Sequence, residues 1–233
     1  MSIPVQLWLM LDSRSPAGAH SHSGGMEAAV TSGYIDTVED VRDFCRGRLH
    51  TTGRVVASFA ATACRAWQQG WEPSAWSSLD AEFGARTPSA ATRTASRKLG
   101  SGLYRLLRAT VPDQVGALNQ QWQGCAHPAP HHPLVLGAAT ALSGGDARIA
   151  GRLAALGICT GPASAAVRLL GLDPFAVHAM TAALADEIEQ VADSAAGVVV
   201  DPEGLAALPR DSAPALELLA DVHAQMEVRL FAS

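Results

Sequence analysis

Alanine is the commonest residue in this 233-residue chain, and aromatic residues make up only 5% of it. Alanine loses no side-chain entropy in a helix and leaves little bulk between neighbours. A core built from Leu, Val and Ala with so few rings therefore suits helices that approach one another closely. Hydrophobic residues at 48% and charged residues at 17% mark a globular chain rather than a disordered one. The length allows one large domain or two small ones. The reading is a single all-α, multi-helix bundle over residues 1–233, with a flexible N-terminal segment at about 1–22 and a loop at about 124–133.

Periodicity and caps place the helices. Residues 4–11 are apolar and fit either a strand or a first helical turn, and Pro, Gly, His and Ser then crowd residues 12–25. Ser23 stands where a cap would start a helix from about Gly24 to Thr31, which Gly33 stops. Thr37 with Asp40 three places on reads as a capping box. Val41, Phe44, Cys45, Arg48 and Leu49 follow on one helical face. Further helices are expected over 54–69, from Pro73 to Phe83, from Thr87-Pro88 for some twenty residues, and from Pro112 to about Gln123. Gly100 and Gly102 interrupt the Thr87 helix, each at a cost of about 1 kcal/mol relative to alanine, which points to another helix coming close there. Helices at about 134–142, 146–158 and 162–170 come next, then a long one from Asp173 to Ala196. The last is expected to start at Asp211-Ser-Ala-Pro214 and to run to about Phe231. There is no βαβ alternation and no internal repeat, and neither GxGxxG nor GxxxxGK[ST] occurs, so nucleotide binding has no support.

The net charge of −5 argues against a dedicated nucleic-acid binder. Charge is uneven. Arg42 to Arg108 holds eleven Arg/Lys against four Asp/Glu, whereas Arg168 to the end holds three Arg against eleven Asp/Glu. Either the two regions attract or solvate one another, or they form distinct faces for different protein partners. Met1 is followed by Ser-Ile-Pro with no basic n-region, and no apolar run approaches the roughly 20 residues that span a bilayer. The expectation is a cytoplasmic protein whose Cys45, Cys64, Cys125 and Cys159 are reduced thiols.

Several residues are candidates for chemistry. Cys125, His127, His131 and His132 crowd one loop and are ligand types suited to nickel or zinc, but their spacing matches no closed zinc pattern. The alternative is a His-Pro turn whose imidazoles cap neighbouring helices. There is no GxSxG and no HExxH. Glu27 and His22 read as a carboxylate and a histidine that fix a helix-start loop together with Ser23, rather than as a catalytic pair. Arg168 stands among small and apolar neighbours and so needs a partner, either in another chain or among the C-terminal acids. Leu230 and Phe231 either close the core or dock on a partner.

The run from Asp12 through Pro16, Gly18, Ser21-His22-Ser23 and Gly25 to Glu27 fits, without a gap, the pattern D-S-x-x-P-x-G-x-x-S-H-S-x-G-[LM]-E that opens urease accessory proteins of the UreF family. Ala95-Ser96-Arg97-Lys98-Leu99-Gly100 is similar to that family's A-S-R-x-x-G helix, and His131-His132-Pro133-Leu134-Val135-Leu136-Gly137 to its H-H-P-V-V-x-G. Ala165-Ala166-Val167-Arg168-Leu169 and the closing Arg229-Leu230-Phe231-Ala232-Ser233 follow in family order. The sequence departs from the pattern at Gly171-Leu172-Asp173-Pro174, where P-L-G-Q is usual, at Ala224, where a glutamate follows the histidine, and at His20 in place of an aromatic.

The resemblance implies an all-helical, dimeric, non-catalytic chaperone for nickel insertion. It would bridge a UreD-like protein on the urease apoprotein and the GTPase UreG, and influence GTP hydrolysis by the latter. It also implies partner contacts at Arg168, Arg229, Leu230 and Phe231, no resident cofactor, and nickel at most in transit. The rivals are a helical metal-binding enzyme using Cys125, His127, His131 and His132, and a helical transcription factor, against which the acidic balance and the lack of a recognisable helix-turn-helix both speak.

Overall fold

A computed structural model describes residues 22–123, 125, 130–225 and 230–231. Among them are eleven α-helices and no strand. In chain order they are α1 (Met26–Thr31), α2 (Val38–His50), α3 (Thr52–Gln68), α4 (Pro73–Ala85), α5 (Ala90–Thr110), α6 (Pro112–Gln121), α7 (His132–Leu142), α8 (Ala147–Leu170), α9 (Pro174–Ala183), α10 (Ala185–Gly197) and α11 (Pro214–Gln225). A short 3₁₀ turn at Leu205–Ala207 precedes α11.

The centre is built from α3, α7 and α8. α3 is apolar or small around its whole circumference from Val55 through Phe59 to Cys64, and such a helix can only be stable when surrounded. Its neighbours come close because glycine allows it. A Cβ on Gly137 of α7 would collide with the Ala60 carbonyl of α3 and lie 2.7 Å from Ala63 Cβ. Gly100 of α5 has the packing role expected of it, since a Cβ there would run into the Pro130 carbonyl. Five of the aromatics pair edge to face. Trp122 stands edge-on to both Trp76 and Tyr104, and Phe83 to Phe59.

Cross-packing joins the basic and acidic regions, as one of the two readings of the charge pattern requires. Glu187 of α10 takes Arg46 at 2.9 Å and His50 at 2.5 Å, and Asp211 takes Arg54 at 3.1 Å. These pairs are largely exposed, so each contributes less than about 1 kcal/mol.

Several boundaries differ from the sequence expectation. The Thr37–Asp40 capping box forms as read. At α1, however, Gly25 occupies the cap position with no side-chain bond, and Ser23 is instead buried. Thr87 does not cap α5. Its hydroxyl donates to the Phe83 carbonyl, and Ser89 takes the amide of Thr92. The Gly161-Pro162 step does not break the chain: α8 is one 24-residue helix with Pro162 inside it. Proline removes one helical hydrogen bond, but buried residues on both sides hold α8 in line, and the Cys45 thiol donates to the neighbouring Cys159 carbonyl. Conversely, the expected long helix after Asp173 is two, α9 and α10, meeting at the buried Leu184. The loop after Gln123 ends sooner than expected, because His132 and Pro133 already belong to α7. The last helix is described as far as Gln225, and Leu230 and Phe231, expected at its end, are not helical.

α8 is also long and apolar enough to span a membrane by length and composition, contrary to the reading that no such run exists. Here it packs against α1, α2, α3, α7, α9 and α10 as a core helix. The apolar stretch at 4–11 lies outside the described residues.

Candidate functional site

Two glycines of positive φ, Gly24 and Gly25, turn the chain into α1. The turn is tight: a Cβ on Gly24 would lie 3.2 Å from Pro162 and 3.3 Å from the Arg48 guanidinium. It delivers Glu27 into the interior at 3% exposure. The carboxylate goes to the C-terminal end of the chain. Oε2 lies 2.6 Å from Nε2 of His223, which α11 brings in with no exposed surface, and it accepts the amide of Phe231 at 3.0 Å. Oε1 accepts the amide of Leu230 at 2.6 Å. An ionised carboxylate only accepts, so the histidine ring donates to it. Arg168, in the last turn of α8, places its guanidinium 4.3 Å from the centroid of the Phe231 ring.

Four sequence-selected residues (Glu27, Arg168, Leu230 and Phe231) thus meet in one clasp, joined by His223. Burial disfavours the charge on Glu27, but the Leu230 amide, the His223 ring and the Phe231 amide outweigh it and hold the carboxyl below its ordinary range. A lowered folded-state pKa means that the stabilisation is present above the ordinary carboxylate value and is lost as pH falls through the lowered one. The two residues of the C-terminal pair differ. Phe231 is buried at the core edge, whereas Leu230 is exposed. Arg229 lies outside the described residues.

Beside the clasp the surface is apolar. Tyr34, Leu218 and Val222 are exposed by 71%, 67% and 52%, and they share one groove with Phe44, Ile35 and Leu219. Together these side chains leave a contiguous apolar surface uncovered. Asp40 and Asp43 border it.

The Cys125 and histidine candidates separate. His131 is buried, its amide donates to Asp80 at 2.9 Å, and its ring lies 4.9 Å from that of Phe83. His132 instead lines a half-open cavity with His22, and its amide donates to Ser96. Burial pushes the Cys125 thiol up to about 11, away from the thiolate that metals bind. Among the described residues no three His, Cys, Asp or Glu side chains converge as a metal set; His127 lies outside them. The other three cysteines are buried free thiols.

Burial, reinforced by His22, pushes the His132 imidazole down to about 4. The unfolded chain therefore takes up a proton first as pH drops, and stability should fall between pH 6.5 and 4 by at most about 3 kcal/mol. Urea unfolding at pH 7 and pH 5 should show this loss, and His132→Gln should flatten it.

The comparisons agree with this architecture. The UreF family model matches residues 35–185. Full-length relatives are described as urease accessory protein UreF: one of Mycolicibacterium vanbaalenii is 40% identical, with all of both chains covered. The chain belongs to the UreF family. Relatives from Mycobacterium sp. strain JLS and Mycobacterium marinum, 39% and 38% identical over the whole of both chains, carry the same description. Membership accounts for the all-helical fold and for the motif blocks at Ala95–Gly100 and His131–Gly137, which meet where Pro130 crosses Gly100. What the motifs alone did not reveal is that Glu27 and His223, 196 residues apart, are partners. The usable signal was a lone acid in the otherwise apolar α1. The exposed groove was missed as well, although α11 has more apolar residues than one face can bury.

Proposed function

We propose that the chain is a urease-maturation adaptor that bridges a UreD-like protein, seated on the urease apoprotein, and a UreG-like GTPase, and that it catalyses nothing itself. The observation that carries this reading is the exposed apolar groove of Tyr34, Leu218 and Val222 beside the clasped C-terminal segment, in a protein of this family. Nickel is cargo brought by the GTPase partner and is not resident in this chain. An adaptor shifts a GTPase cycle only by binding one nucleotide state more tightly than another. Arg168 serves by holding Phe231, and Leu230 is presented outward for contact. The assembly contains two copies of the chain.

The test is co-purification with the UreD-like and UreG-like proteins under reducing, low-salt conditions. Retention of at least one is expected, and failure to retain either overturns the proposal. Leu218→Glu and Val222→Glu place charge on exposed positions, so the fold should keep its melting temperature. Partner affinity should fall about tenfold or more, as for central interface residues.

A further inference from the structure

The half-open cavity beside His132 has a volume of about 180 Å³, and Arg48 of α2 lines it. Arg48 is partly buried, and its hydrogen-bond partner is the Gly24 carbonyl, reached through Nη1. Its Nε is closed off from solvent and has no hydrogen-bond partner among the described residues. Among the described residues no carboxylate lies within ion-pair distance of it. Of the two acids on the cavity, Glu217 favours the Arg48 charge from beyond ion-pair distance while it accepts the Ser89 amide, and Asp211 pairs with Arg54. The cavity's other arginine, Arg86, pairs with Glu82. Of its two histidines, His132 stays neutral at ordinary pH and His22 stands near it. The remaining walls are largely hydrocarbon, including Val56, Leu99 and Ile158.

A guanidinium withdrawn from water with no carboxylate in direct contact is costly, and a carboxylate is the anion whose shape matches its fork of donors. We propose that this cavity binds a small carboxylate, its anionic end on Arg48 and its short hydrocarbon end against Val56, Leu99 and Ile158. The cavity is far larger than the roughly 10–15 Å³ of probe space that one water needs, so a short-chain acid has room in it. The site is separate from the clasp and from the groove, so it stands whether or not the adaptor reading does.

The probe is sodium butyrate, titrated into the full chain and followed by melting temperature and calorimetry. Sodium chloride at equal ionic strength and 1-butanol are the controls. Butyrate should raise the melting temperature and saturate, since a ligand that binds only the folded state stabilises it by mass action; neither control should do so. Arg48→Gln should weaken butyrate about tenfold or more. In the unaltered protein, nuclear Overhauser contacts from butyrate should reach the Val56 and Ile158 methyls, a readout that survives if the variant does not fold. Equal stabilisation by butanol, or by chloride, overturns the proposal, as does non-saturating butyrate or contacts confined to other methyls.

Discussion

Glu27→Ala should destabilise the protein by about 3–5 kcal/mol, the cost of removing one partner from a buried pair. It takes the carboxylate away from the His223 ring in a site with no exposure and leaves the Leu230 and Phe231 amides without their acceptor. Urea unfolding reads the stability. Hydrogen exchange at those two amides reads the clasp, and their protection should be lost in the variant. His223→Ala is the informative contrast. It removes the ring but leaves the carboxylate and both amide bonds, so exchange at residues 230–231 should rise far less. If the two variants loosened these amides equally, Glu27 would not be what holds the C-terminal segment.

Gly137→Ala should cost about 3 kcal/mol or more, at or beyond the upper end of what extra methyl groups cost in packed cores. The added carbon meets the backbone carbonyl of Ala60 and lies 2.8 Å from the Cys64 amide nitrogen, and neither is the end of a side chain that can swing away. The expected relief is a separation of α3 from α7, which carry much of the core. Gly47→Ala in α2 is the control. Its Cβ would meet nothing within 4 Å, so the better helix propensity of alanine should make it neutral or stabilising by up to about 1 kcal/mol. Chemical denaturation of both variants checks the pair.

These expectations show where sequence reasoning worked and where it stopped. Helix existence was legible wherever caps and apolar spacing agreed, as at Thr37–Asp40 and the face of Val41, Cys45 and Leu49. It failed where tertiary burial overrode a local signal. Pro162 is a helix breaker by its own chemistry, yet core packing on both sides carries α8 through it. Leu184 carries no breaking signal, yet the chain turns there so that α9 and α10 can each pack on α8. Of the site, residue choice was legible and pairing was not. Glu27, Arg168, Leu230 and Phe231 were singled out, but Glu27 was assigned to the loop at His22 because proximity along the chain is the only distance a sequence shows. Its partner is His223, brought near by α11 packing on α1. The exposed groove depends on which apolar residues the bundle leaves uncovered, and that emerges only when every helix is in place.

The adaptor account is tested most directly by hydrogen exchange across the whole chain, alone and bound to the UreD-like partner. It predicts new protection at the α2 approach around Tyr34 and along α11 at Leu218–Val222, with the amides of Leu230 and Phe231 already slow in the free protein. A stable complex that leaves those segments unchanged, or that protects only the α9–α10 side of the bundle, would contradict it.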